Sequence, residues 1–243
     1  MKTHLVAAGK YHDIDFARLE LLKLLAEHPE IRTSVSSDYS DVDRIEAADL
    51  LITYTCDLMP TPDQTLVLAR FLDRGGRWLA LHGTNSILRM AEDGKVDTPD
   101  VAPEFMALLG SRFTAHPAIE PFKVFVTRPD HAMTRGLRDF RIEDELYLSR
   151  RTTDIDVLLH TKFTGHCDEF RDSDWDEAEV PVLYERAVGQ GAVLYLTLGH
   201  CRGHYDLQPL TAFWPHPQRC GWNYPIFYEL LRRAIAWGGG QRD

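Results

Sequence analysis

Residues 50–84 run Leu50-Leu51-Ile52-Thr53-Tyr54, then Met59-Pro60-Thr61-Pro62-Asp63-Gln64, then Gly75-Gly76-Arg77-Trp78-Leu79-Ala80-Leu81-His82-Gly83-Thr84. The first run is short and continuously apolar, as a buried strand is. Thr61 suits an N-cap with Pro62 at N1, and Gln64 at N3 completes a capping box. Leu66, Leu68, Ala69 and Leu72 give that helix its apolar positions, and Gly75-Gly76 ends it. Trp78 to Leu81 is the next strand, closed by His82-Gly83. The same alternation runs back to the N-terminus. Leu5 to Ala8 ends at Gly9; Phe16, Leu19, Leu22 and Leu25 recur near helical spacing until His28-Pro29; Ile31-Thr33-Val35 alternates as a strand does. Strands alternating with helices of this length predict an α/β fold whose parallel sheet is covered on both faces.

The second half is less regular. Phe105 to Leu109 reads as a short helix ending at Gly110, and Phe122 to Val126 and Val157 to His160 as strands. Residues 168–179 hold seven acids and one base, which predicts an exposed loop. Pro181 to Tyr184, Gly189-Gln190-Gly191 and Ala192 to Leu198 read as a hairpin entering a buried strand. Residues 201–225 are aromatic without periodicity, and Ile226, Phe227, Leu230, Leu231, Ala234 and Ile235 make a last amphipathic helix. The sheet is expected to be mostly parallel through Leu5–Ala8, Ile31–Val35, Leu50–Tyr54, Trp78–Leu81 and Ala192–Leu198. No repeat or flexible linker interrupts residues 1–243, so a single domain is expected.

With 27 Lys+Arg against 37 Asp+Glu, the net charge is −10. That balance argues against nucleic acid or an anionic membrane as partner, because neutralising phosphates takes clustered cations. No apolar run approaches the roughly 20 residues that span a bilayer. The apolar stretch at the N-terminus is too short for a signal peptide. Cys56, Cys167, Cys201 and Cys220 show no C-x-x-C spacing. A cytoplasmic protein is the expectation.

Three of the eleven histidines fall just after strands: His12 after the first, His82 after Trp78–Leu81, and His200 after Ala192–Leu198. Ligands of open α/β sheets collect outside the carboxyl ends of the strands, so these three are expected to converge on one pocket. His116 and His131 lie in loops that could join its wall. No H-x-x-x-H or H-E-x-x-H helix is present, so any metal would be assembled from loops. In Ile142-Glu143-Asp144-Glu145-Leu146-Tyr147, Glu143 and Asp144 read as a solvated turn. Glu145, flanked by Leu146 and Tyr147, is expected to face inward, where apolar surroundings can tune a carboxyl for acid–base work. Gly9-Lys10-Tyr11-His12 lacks both nucleotide fingerprints, so no nucleotide is expected. Leu81-His82-Gly83-Thr84 is shaped like a nucleophile elbow with histidine at its tip. Cys56 remains as an alternative thiol nucleophile.

Several segments together resemble the ThuA-like (trehalose utilisation) family of the class I glutamine amidotransferase-like superfamily. They are Tyr11-His12-Asp13; Gly75-Gly76 with Leu79-Ala80-Leu81-His82-Gly83; Gly110-Ser111-Arg112-Phe113 with His116-Pro117; Asp130-His131 with Thr134-Arg135-Gly136-Leu137 and Phe140; Asp144-Glu145-Leu146-Tyr147; and Pro181-Val182 leading to Gly189-Gln190-Gly191 and Leu198-Gly199-His200. The departures are Ala132 where the family usually has Pro, Tyr184 where Trp is common, and the aromatic insertion after His200.

The resemblance implies a flavodoxin-like three-layer α/β/α sandwich. It also implies sugar catabolism without glutamine hydrolysis, since His82 takes the elbow position of the amidotransferase cysteine. An enzyme acting on a keto-sugar or 3-keto-glycoside suits the residues, because a C3 ketone acidifies the C2 proton, and its removal leads either to loss of the C1 substituent by elimination, followed by hydration, or to isomerisation. On this reading Glu145, His82 and His131 are catalytic, Tyr11, Trp222 and Tyr224 bind substrate, and His12, His116 and His200 hold a divalent metal. The expected partners are the sugar itself and further copies of the chain. The rival reading is a non-catalytic carbohydrate-binding or partner protein that lacks the elbow cysteine.

Overall fold

The computed structural model describes residues 1–240. In chain order its elements are β1 (Lys2–Gly9), α1 (Ile14–Ala26), β2 (Arg32–Ser36), α2 (Val42–Ala47), β3 (Leu50–Cys56), α3 (Pro62–Asp73) and β4 (Arg77–Leu81). A short hairpin follows, β5 (Arg89–Met90) and β6 (Val96–Asp97), then α4 (Pro103–Leu109). The second half supplies β7 (Ser111–Ala115), β8 (Glu120–Val126), β9 (Phe140–Asp144), β10 (Leu148–Arg151), β11 (Asp156–His166), β12 (Asp174–Val188), β13 (Gly191–Leu196) and α5 (Pro225–Gly238).

The main sheet has nine strands in the order β2-β1-β3-β4-β13-β12-β11-β8-β9. Its first five strands are all parallel, as the strand–helix alternation requires. Period-two alternation divides their side chains between two cores. Leu5, Ala7, Ile52, Tyr54, Leu79, Leu81, Leu194 and Leu196 pack with α1 and α5, through residues such as Leu21, Leu24, Leu231 and Ala234. Val6, Leu51, Trp78, Ala80, Val193 and Tyr195 pack with α2, α3 and α4 on the other face. Both faces are covered, which is why these strands read as unbroken apolar runs. The α3 capping box forms as expected from Thr61 and Gln64.

The remaining four strands of the sheet extend it in antiparallel fashion. One expectation fails there. Residues 174–179 are the first part of β12, not loop. Trp175 and Val180 point inward while Asp174, Asp176 and Glu179 face solvent, so the acidic run is one face of a strand. Arg150 lies over the Trp175 ring and pairs with Asp172, which neutralises part of that face. No helix among the described residues is long and apolar enough to cross a membrane.

Candidate metal centre

His12, His82 and His200 meet outside the carboxyl ends of β1, β4 and β13, where the sheet order leads ligands to collect. Glu145 joins them from the end of β9. Local geometry explains each placement. His82 opens a 3-10 turn with φ of +43°, so the chain swings sharply off β4 and turns its ring under the strand ends. His12 precedes Asp13, whose side chain caps α1. His200 follows Gly199, whose φ of +119° is available only to glycine.

The ring nitrogens decide what the cluster can do. His82 Nδ1 donates to the Thr197 carbonyl at 2.8 Å, and His12 Nδ1 donates to the Lys10 carbonyl at 3.1 Å. Carbonyl oxygens only accept, so each ring carries its proton on Nδ1 and a lone pair on Nε2. Those two Nε2 atoms are 2.9 Å apart. Two lone pairs at that distance repel, and a shared cation removes the repulsion. His200 Nε2 contacts Gln218 Oε1 at 2.9 Å, leaving Nδ1 facing the cluster, buried and without a hydrogen-bond partner.

Glu145 Oε2 lies 3.4 Å from His82 Nε2, 3.2 Å from His200 Nδ1 and 3.9 Å from His12 Nε2. Four ligands at the usual metal–nitrogen distance stand about 3.4 Å from one another on a tetrahedron; the four ligand atoms here lie within 4.8 Å of one another, so the set would draw in slightly to close on an ion. All four residues are almost wholly buried.

Electrostatics points the same way. Burial lowers the pKa of His12, His82 and His200, which keeps the rings neutral. Burial also opposes ionisation of Glu145. The neighbouring His116 counters it most strongly, and the carboxyl is held well below the usual range. An ionised carboxylate facing three neutral lone pairs is a donor set for a divalent ion. Each imidazole is tied off on its far nitrogen, as ligating histidines usually are.

The other expected site residues divide. His116 stands behind Glu145, its Nε2 3.3 Å from Oε1 and its Nδ1 donating to the Pro117 carbonyl; it lies outside the four-residue cluster. Tyr11 contributes its carbonyl oxygen, which accepts from Arg202 Nε at 3.1 Å. His131 lies elsewhere, a correction to its place in the pocket. It pairs with Glu185 at 3.1 Å in a cleft with Arg77 and Gly191, at the opposite, amino end of β4 and β13. Its turn is held by Arg233 of α5, which donates to the Met133 and Arg135 carbonyls.

Trp222 is likewise corrected from substrate binder to core. Its ring is buried against Phe16, Tyr54 and Phe227, and Nε1 donates to the Gly199 carbonyl at 2.8 Å. Trp222→Ala is expected to cost about 3–5 kcal/mol in urea denaturation. Unchanged stability would return the ring to a surface role. Tyr224 is half-buried on the same core at the start of α5. Cys56 is fully buried, and burial pushes its thiol far up, so it offers no thiolate.

Three residues of the site were not singled out from the sequence. Asp144 is fully buried, not a solvated turn. Its carboxylate accepts from the backbone N–H groups of Glu145 (2.8 Å), Gly199 (2.9 Å), His200 (3.0 Å) and Gly221 (3.1 Å). Burial raises its pKa to about 7 against the pull of those donors. The alternation Ile142 in, Glu143 out, Asp144 in carried the signal. Arg202, with Nη2 3.8 Å from Glu145 Oε1, and Gln218 had none.

The ThuA family, described as trehalose utilisation, matches residues 5–213. The chain belongs to the ThuA family. A comparison with curated protein sequences gives no match. The structure of this ThuA-family chain is similar to that of a ThuA-like protein from Bacteroides uniformis, with a TM-score of 0.69, 16% identity and coverage of 100% of this chain and 93% of that one. A ThuA-like protein from Parabacteroides merdae gives 0.68 at 15% identity, covering 100% and 92%. A β-galactosidase from Bacillus circulans contains a similar fold over 26% of its chain, covering 91% of this one at 13% identity and a TM-score of 0.55. At these identities the likeness concerns the fold alone.

Proposed function

We propose that this ThuA-family protein is a divalent-metal enzyme acting on a keto-sugar, with a 3-keto-glycoside as the substrate class. The observation that carries the reading is the convergence of His12, His82 and His200 lone pairs on Glu145 Oε2, with every far ring nitrogen tied off. A bound divalent ion would supply positive charge to a developing enolate.

The chain's own residues supply the rest. His116 is the member of the group with solvent access, its side chain 21% exposed, and its Nε2 faces Glu145 Oε1. On this reading His116, in its neutral form, takes the proton from C2 of the sugar. The C2–H bond breaks, the C1=C2 double bond forms, and the C1 substituent leaves with its oxygen and takes a proton. Water then adds its oxygen at C1 and a hydrogen at C2, so the net change is hydrolysis of the glycosidic bond. Arg202, itself only 13% exposed beside Glu145, keeps a fixed positive charge at the rim. The loop 203–217, closed by paired backbone hydrogen bonds between Arg202 and Gln218, would limit water beside a bound sugar on this reading.

The test is metal analysis of the purified protein together with turnover of a panel of 3-keto-glycosides, before and after chelation. About one equivalent of divalent metal and chelator-sensitive release of the C1 substituent are expected. Absence of metal uptake overturns the centre. Metal uptake with no turnover on the panel moves the protein to the rival reading, a carbohydrate-binding protein.

A further inference from the structure

Arg202 and Gln218 face each other at the neck of loop 203–217, each backbone N–H donating to the other's carbonyl, at 3.0 and 2.8 Å. Their side chains meet as well. Gln218 Oε1 lies 3.0 Å from Arg202 Nη1 and 2.9 Å from His200 Nε2. A guanidinium has donors only, so the amide atom that faces Arg202 must be the oxygen and not the NH2 group. That same oxygen then accepts from His200 Nε2, which must carry the ring proton. In the neutral ring the lone pair is therefore on Nδ1, the buried nitrogen 3.2 Å from Glu145 Oε2. Arg202 is in turn fixed by donating from Nε to the Tyr11 carbonyl.

The alternative tautomer has a strong attraction of its own. With the proton on Nδ1, His200 would donate to the Glu145 carboxylate, a charge-assisted hydrogen bond. That proton would occupy the position a metal needs and would engage Glu145 at the same time. His12 and His82 are held in their tautomers by main-chain carbonyls. Of the three rings, His200 depends on a side chain.

We infer that Gln218, oriented by Arg202, is a positioning residue that holds His200 in the tautomer presenting Nδ1 to the metal. The inference rests on the metal-centre reading given above, and its test separates the two. Ring nitrogen-15 shifts of His200 in the metal-free protein report the tautomer directly. The wild type is expected to show the proton on Nε2. Gln218→Leu removes the acceptor and should move the proton to Nδ1, wholly or as a mixture. Gln218→Glu restores an acceptor and should restore the wild-type pattern.

In competition titrations with zinc, Gln218→Leu should weaken binding by roughly 10–100-fold, the loss seen when a ligand's outer partner is removed. Gln218→Glu should stay within about threefold of wild type on the same scale. A Gln218→Leu protein that keeps the Nε2 proton, or binds zinc as wild type does, overturns the positioning role while the metal centre stands. A wild type that takes up no divalent ion overturns the metal centre itself, and the inference with it.

Discussion

A Glu145→Gln protein should fold normally and fail to take up a divalent metal. The substitution keeps the shape of the side chain and removes the charge that faces three lone pairs. A ligand's outer partner is worth roughly 10–100-fold in affinity; the carboxylate ligand itself should be worth at least about 100-fold on that scale. The amide also brings a donor. Its NH2 can bond the unpartnered His200 Nδ1, so the metal-free variant should be as stable as the metal-free wild type or more so. Thermal melts with and without metal give the measurement. At a free metal concentration of about 100 times Kd the wild type should gain roughly 2.7 kcal/mol, and the variant nothing. Equal stabilisation of both proteins would show that Glu145 is no ligand.

Removing Asp144 should be the most damaging change to stability near the site. Four backbone N–H groups from three separate segments converge on this one carboxylate. Asp144→Leu would leave all four buried without an acceptor. At about 1–3 kcal/mol for each, and allowing for relaxation of the loops, a loss of roughly 4–6 kcal/mol is expected in urea denaturation. Asp144→Asn should fall between, because its carbonyl still accepts while its NH2 meets donors. The close approach of Asp144 also requires glycine at 221, since a Cβ there would stand 2.6 Å from Asp144 Oδ2. The loss should extend to metal affinity, because Glu145 and His200 both hang from the bonds that Asp144 accepts. A variant within about 1 kcal/mol of wild type would contradict this account, the usual range for a substitution that breaks no such network being smaller still.

Much of the parallel half was legible from local chemistry. Thr61, Pro62 and Gln64 start α3 by satisfying its own first N–H groups, and the runs at β1, β3, β4 and β13 are apolar throughout because both faces are covered. The rule that ligands gather at strand ends then brought His12, His82 and His200 together from positions far apart in the chain. Glu145 was legible from its apolar neighbours. These features depend on residues within one turn or one strand of each other, or on a handedness common to such sheets.

Other features depended on partners that are remote in sequence. The acidic residues 174–179 became a strand because Trp175 and Val180 had a core to enter, supplied by Phe113, Tyr147 and Leu148. Trp222 looked like a sugar platform by composition, yet its ring is enclosed by residues of α1, β3 and α5. Asp144 looked solvated until Gly199, His200 and Gly221 arrived to donate to it. The same holds for the chemistry of the cluster. A sequence places a histidine near a strand end, but which of its nitrogens carries the proton is set by whichever carbonyl or amide oxygen lies opposite. Thr197, Lys10 and Gln218 take those positions only once the chain has closed on itself.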